Sequence, residues 1–184
     1  MPEDQAMPVG ATDYVRRSVA NNLNDIAKDH PDIVIKTAKS WFGHNKATNW
    51  IVKHACRTLL KQGNTEVLAI FGFGNAAKVQ IEKLQLKKTS LVIGNDLEFS
   101  FTVKANQAAK LRVEYGIDYM KANGSTSRKI FQINESEYAQ NEAKTFERKQ
   151  SLKNMTTRKH YPGKHHLVII VNGVEKAKVD FDLA

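Results

Sequence analysis

Leu97-Glu98-Phe99-Ser100-Phe101-Thr102-Val103-Lys104 alternates apolar and polar residues without a break. A period of two turns one face of an extended strand toward a core and the other toward water. The same period recurs downstream. Leu111, Val113 and Tyr115 alternate with Arg112 and Glu114. Ile130-Phe131-Gln132-Ile133, Lys144 to Lys149 and His165 to Val171 read as further strands. Val79, Ile81, Leu84 and Leu86 form an extended region whose alternation slips around Glu82-Lys83. Asn172-Gly173 follows Val171 directly, and both residue types accept the positive φ of a type I′ hairpin turn. Val179 and Phe181 continue the last strand. Seven such strands between residues 76 and 184 predict an immunoglobulin-like sandwich, one without the disulfide pin because Cys56 is the only cysteine.

Upstream, the apolar residues recur at helical spacing. Val15, Val19, Leu23, Ile26 and Ala27 form one stripe, with Thr12 or Asp13 as the cap. Pro31 opens a second helix, whose stripe is Val34, Ala38, Trp41 and Phe42. Gly43-His44-Asn45 breaks it. A third helix runs from Thr48 or Asn49 to Gly63 with Ile51, Ala55, Leu59 and Leu60 inward, and a shorter one follows from Thr65 to Phe71. The expected architecture is therefore two-part: short all-α HEAT-like helical repeats followed by an all-β immunoglobulin-like sandwich. The expected boundaries are a flexible segment at 1–11, the helices at 12–75 and the sandwich at 76–184.

Composition narrows the function classes. Hydrophobic residues make up 41% of the 184, enough for a core, which excludes a wholly disordered chain. Leu167 to Val171 is the longest aliphatic run, far too short to span a bilayer. Met1-Pro2-Glu3-Asp4-Gln5 shows no basic segment before an apolar run, so a cytoplasmic, reducing setting is expected. The net charge is +9. Residues 1–75 hold 9 basic against 7 acidic side chains, and residues 76–184 hold 19 against 12. A surplus concentrated in one half favours a polyanionic partner, nucleic acid before an acidic membrane surface, although a solvated lysine-rich face has the same composition.

Within Tyr14 to Lys28, the residues Arg17, Asn21, Asn24, Asp25 and Lys28 gather opposite the apolar stripe at spacings of three and four. Two amides, a carboxylate and two cations can serve a polar ligand, and a solvated Asp25–Lys28 pair accounts for the same spacing. Lys53, His54 and Arg57 repeat the theme on the third helix, where His54 also reads as a partly buried, hydrogen-bonded ring. Trp41 and Trp50 sit beside their apolar stripes and are expected to anchor the core. Ser127-Arg128-Lys129 and Thr157-Arg158-Lys159-His160 are short basic clusters next to expected turns, suited to phosphates. His160, His165 and His166 lack a carboxylate or cysteine to complete a metal set, so no metal is expected. Gly72-Phe73-Gly74 has no preceding strand and is too short for a dinucleotide loop, so no cofactor is expected.

Tyr14 to Pro31, followed by Asn49-Trp50-Ile51-Val52-Lys53-His54-Ala55-Cys56-Arg57 to Lys61, resembles the HEAT-like-repeat alkylpurine DNA glycosylases, in particular the AlkC branch. Arg158-Lys159-His160-Tyr161-Pro162-Gly163 and Val171-Asn172-Gly173 are similar to that branch's C-terminal immunoglobulin-like domain. The resemblance covers residues 12–184 in order. It implies a DNA repair function in which cationic bases such as 3-methyladenine or 3-methylcytosine are released from double-stranded DNA. It also implies Asp25 as the catalytic carboxylate, with Arg16, Arg17, Lys53 and Arg57 on backbone phosphates. The family carries further helical repeats upstream, including a Ser-Glu-Gly-Thr-Arg-Pro-type segment with another acidic residue. Met1 to Ala11 has nothing similar, and Cys56 stands where an aliphatic residue is usual. The chain thus resembles the C-terminal half of such a hydrolase, an incomplete enzyme. Pairing of two copies through the open end of the helices is a corollary. The alternative function is a non-enzymatic protein-interaction module, with RNA binding third because no exposed aromatic strand platform is evident.

Overall fold

The alternation at Leu97–Lys104 becomes the body of strand β3 (Asp96–Ala105), where every second side chain is buried. The computed structural model describes residues 12–156 and 159–184. The chain divides into two compact units, Met1–Phe73 and Gly74–Ala184. The other strands of the second unit are β1 (Val79–Leu86), β2 (Ser90–Leu91), β4 (Ala109–Met120), β5 (Thr126–Tyr138), β6 (Ala143–Ser151), β7 (Gly163–Val171) and β8 (Val174–Leu183). They form a three-stranded sheet in the order β1-β3-β6 and a five-stranded sheet in the order β2-β8-β7-β4-β5. Leu97, Phe99, Phe101 and Val103 share one apolar core with Leu111, Val113, Ile117, Leu167 and Ile169 of the larger sheet.

Local chemistry explains the irregular points. The slip in β1 is a register shift between Glu82 and Gln85, with Lys83 at φ 53°. Asn172 (φ 47°) and Gly173 (φ 74°) make the β7–β8 turn. The Asn172 side chain is also buried. Its carbonyl accepts from the Arg112 amide at 2.7 Å and its amide donates to the Gly74 carbonyl at 2.7 Å. One turn residue therefore ties β4 to the first residue of the unit. An eighth strand joins the expected seven among the described residues. It is β2, two residues long and parallel to β8, too short to show a period in sequence.

The first unit contains α1 (Asp13–Asp29), α2 (Pro31–Trp41), α3 (Lys46–Ala55), α4 (Arg57–Lys61) and α5 (Thr65–Ile70). Thr12 caps α1 by accepting from the Val15 amide, and Asn45 and Asn64 cap α3 and α5 in the same way. The expected single helix from Thr48 to Gly63 is two, starting at Lys46 and broken at Cys56 (φ −85°, ψ 5°). The α1 stripe is also rotated from the expected one. The expected Ala27 is buried, but Ala20 and Asn24 are buried with it, whereas Val15 is 40% exposed.

The expected architecture of HEAT-like all-α repeats followed by an all-β sandwich is corrected. Among the described residues 44% lie in strands and 30% in helices, giving a mixed α and β chain with two sheets. The five helices shorten from 17 residues in α1 to 5 in α4 and 6 in α5, so they do not recur as equivalent pairs. The second unit itself opens on a 3-10 turn at Ala76–Lys78 and holds a parallel strand pair. Helical periodicity in sequence reports amphipathic segments; it does not report whether successive segments are long enough to repeat one packing unit. No helix of the described residues is long and apolar enough to cross a membrane. The segment expected to be flexible, 1–11, lies outside the described residues.

Candidate functional site

The polar residues of α1 meet those of α3 and α4 because α1 packs against both. Asn21 projects from α1 toward the end of α3. Its side-chain oxygen accepts from Arg57 Nη2 at 3.2 Å and lies 3.2 Å from His54 Nε2. Arg57 is held from its other side by the His54 carbonyl at 2.7 Å. His54 is partly buried and stacks on the Trp50 ring, with centroids 5.0 Å apart and planes 8° from parallel. Three of the residues singled out from sequence, Asn21, His54 and Arg57, thus form one hydrogen-bonded group.

One helical turn beyond Asn21 stands Asp25. Its carboxylate accepts from Lys28 Nζ at 2.7 Å, and the side chain is 66% exposed. The Asp25–Lys28 pair foreseen from spacing therefore exists, but solvent screens it and space beside the carboxylate stays open. Hydrogen bonding to Lys28, then the Lys28 charge and the more distant Arg57, hold the Asp25 carboxyl below its ordinary range. It is ionised at neutral pH. Burial, and then the Arg57 and Arg17 charges, push the His54 imidazole down. The neutral ring can donate from Nε2 to the Asn21 carbonyl oxygen, which leaves the Asn21 amide group directed elsewhere. A fixed negative charge therefore sits beside a neutral hydrogen-bonded ring and a cationic guanidinium.

The remaining predicted residues separate. Arg17 and Lys28 are exposed on α1 and Lys53 is half-buried on α3. Arg16 pairs with Asp13. Asn24 is a correction: at 4% exposure it faces inward, where its side-chain oxygen accepts from the Thr58 hydroxyl at 2.9 Å and the Thr58 amide at 3.3 Å. It caps the first turn of α4 from a neighbouring helix and does not face solvent. Trp50, expected in the core, is 43% exposed. Its exposure is the feature that sequence reading missed; only the absence of a second apolar partner on its side of α3 could have signalled it.

In the second unit Arg128 is engaged by two carboxylates. Its guanidinium donates to both Asp118 oxygens at 2.6 and 2.8 Å and also pairs with Glu175. Those carboxylates lie on β4 and at the start of β8, across the sheet from Arg128 on β5, so the arginine closes a structural ion network. Lys129 is exposed near the start of β5, next to the turn that precedes it. Lys159 is exposed and Arg158 lies outside the described residues. His165 is buried with Nε2 3.0 Å from the Tyr161 carbonyl, and His166 lies 2.7 Å from Asp180. Among the described residues no group of three or more His, Cys, Asp or Glu side chains is placed to hold a metal.

Residues 80–184 match the family described as "Uncharacterised protein YhaZ, C-terminal Ig-like domain". The uncharacterized protein YhaZ of Bacillus subtilis is 48% identical over 170 residues, covering 92% of this chain and 48% of that protein. A solved structure of Pseudomonas fluorescens alkylpurine DNA glycosylase AlkC, bound to DNA containing an abasic site analog, superposes with a TM-score of 0.91 at 39% identity. It covers 96% of this chain and 50% of that one. The chain spans about half the length of the relatives it matches.

Proposed function

The chain belongs to the family of the YhaZ C-terminal immunoglobulin-like domain, and from that premise we propose that it is an AlkC-like DNA-binding protein of alkylation base-excision repair. It corresponds to the C-terminal half of a glycosylase that releases 3-methyladenine or 3-methylcytosine. The observation that carries this reading is the exposed, ionised Asp25 carboxylate set between Lys28 and the Asn21–His54–Arg57 group.

The chemistry needs few groups. A base alkylated on a ring nitrogen is already cationic, so it leaves with the electron pair of the C1′–N bond and becomes neutral without a proton from the protein. Positive charge then grows on the deoxyribose. A fixed carboxylate beside that sugar stabilises the charge, and it accepts a hydrogen bond from the water that attacks C1′. Displacing Lys28 from Asp25 costs little, because the pair is solvent-exposed. Arg17, Lys53 and Arg57, with Arg16 alongside Asp13, supply cations to flanking phosphates. Such contacts give affinity that falls steeply with added salt. Asn24 and Arg128 are not part of this set.

The test is base release from methylated duplex DNA by the full chain, alone and with the upstream region of a longer relative added. Release of 3-methyladenine in the second case supports the reading. Absence of release together with salt-insensitive or undetectable DNA binding at low ionic strength removes it. Pairing of two copies through the helices belongs to the same proposal; sedimentation as a strict monomer at high micromolar concentration counts against that part.

A further inference from the structure

The face that carries Asp25 continues past Arg17 into an open cleft of about 360 Å³, lined by Asp13, Arg16 and Arg17 of α1 and by Lys46, Ala47 and Trp50 of α3. Three of its four charged residues are cationic, and Asp13 is paired with Arg16. Arg17 and Lys46 carry no carboxylate ion pair among the described residues, and both are exposed. Beside Ala47, the remaining side chain is the indole of Trp50. Trp50 reaches solvent at 43% exposure while His54 stacks on it in parallel, a support that holds the ring flat. Burying large aromatic surface is favourable, so an indole left open beside two unpaired cations calls for a ligand with both a π face and an anion.

We infer that this cleft is a subsite for one unpaired nucleotide of a nucleic-acid strand, with the phosphate on Arg17 and Lys46 and the base face on Trp50. The inference rests on the reading that this helical face binds DNA, and it adds which nucleotide the face selects. Duplex bases have both faces covered by their neighbours, so an indole platform takes a base only from an unpaired or extruded position. A cationic alkylated base is excluded from this cleft by Arg17 and Lys46, so it is not a second lesion pocket. Arg17 and Asp25 are eight residues apart on α1, about 12 Å at the helical rise. That is roughly three to four nucleotide steps along a B-form strand. The subsite therefore holds a strand at a fixed distance from the Asp25 carboxylate.

Binding of fluorescein-labelled decathymidylate to the full chain, read by anisotropy, tests this directly. Tryptophan emission during titration with the unlabelled oligonucleotide is the second readout. Saturable quenching is expected with the single strand and weaker quenching with a blunt ten-pair duplex. Trp50→Ala is expected to weaken decathymidylate binding about 5- to 100-fold, the range for losing one stacked base. Trp50→Phe should recover most of the loss, and Lys46→Glu should weaken binding and lower its salt slope. Unchanged affinity in Trp50→Ala, quenching that persists there through Trp41, or equal quenching by the duplex would overturn the inference. Trp50-dependent binding without any base release removes the repair chemistry and leaves the subsite; base release without Trp50 dependence does the reverse.

Discussion

Asn24→Ala isolates an inward-facing polar contact that joins α1 to α4. The Asn24 oxygen accepts from both the hydroxyl and the amide of Thr58 while nearly excluded from water. Alanine removes the acceptor, opens a small void and leaves the Thr58 amide, in the first turn of α4, without its cap. Cys56 at the head of α4 offers no side-chain cap to replace it. A donor left unsatisfied costs about 1–3 kcal/mol and a lost cap about 1 kcal/mol, and the two overlap because they share an atom. An expected destabilisation of about 2 kcal/mol lowers the urea midpoint by roughly 1 M for an m-value of about 2 kcal/mol/M. The protein contains two tryptophans, Trp41 and Trp50, both in the first unit, so emission during urea unfolding reports that unit selectively. A midpoint within about 0.2 M of the unmodified chain would refute the reasoning and return Asn24 to the solvent-facing set.

Gly74→Ala would place a Cβ 2.5 Å from the Ala109 Cβ, so thermal unfolding should show a loss of about 1–3 kcal/mol that Ala109→Gly restores in the double variant. Arg128→Ala should lower the stability of the β unit by about 1–3 kcal/mol, because it leaves Asp118 and Glu175 facing each other without their shared cation. Lys129→Ala should leave stability within about 0.5 kcal/mol. The His165 imidazole is pushed down chiefly by burial, against the opposing Tyr161 carbonyl contact. The unfolded chain therefore takes up a proton before the folded one does, and this part of the stability is present above the ordinary histidine value and lost as pH falls below about 6.5. Chemical denaturation at pH 7 and 5 should show a smaller drop in His165→Gln than in the unmodified chain.

Features set by neighbours in the chain were legible in the sequence. The Leu97–Lys104 alternation, the Asn172-Gly173 turn, the Glu82-Lys83 slip and the Thr12 and Pro31 helix starts all follow from local dihedral and capping preferences. What depends on partners distant in sequence was not. Ala20 wins the buried face of α1 over Val15 although apolarity alone ranks the two the other way. Arg128 reads as a phosphate contact until β4 brings Asp118 beside it across ten residues, and Asn24 reads as solvent-facing until Thr58 arrives from thirty-four residues away. Cys56 gave no breaker signal, so the split of α3 from α4 was invisible. At the candidate site the sequence held Asn21, Asp25, His54 and Arg57 but misplaced Trp50, whose orientation depends on where α3 meets α1.

The proposed role of Asp25 is to act through its charge on a sugar as the bond to the base breaks. Single-turnover release of 3-methyladenine from methylated duplex DNA, by the chain joined to the upstream region of a longer relative, compares Asp25 with Asp25→Asn directly. The substitution keeps size and hydrogen bonding and removes the charge. A fall of about 10²- to 10³-fold in rate with DNA affinity little changed is the predicted result. An equal rate in the two proteins would contradict the account.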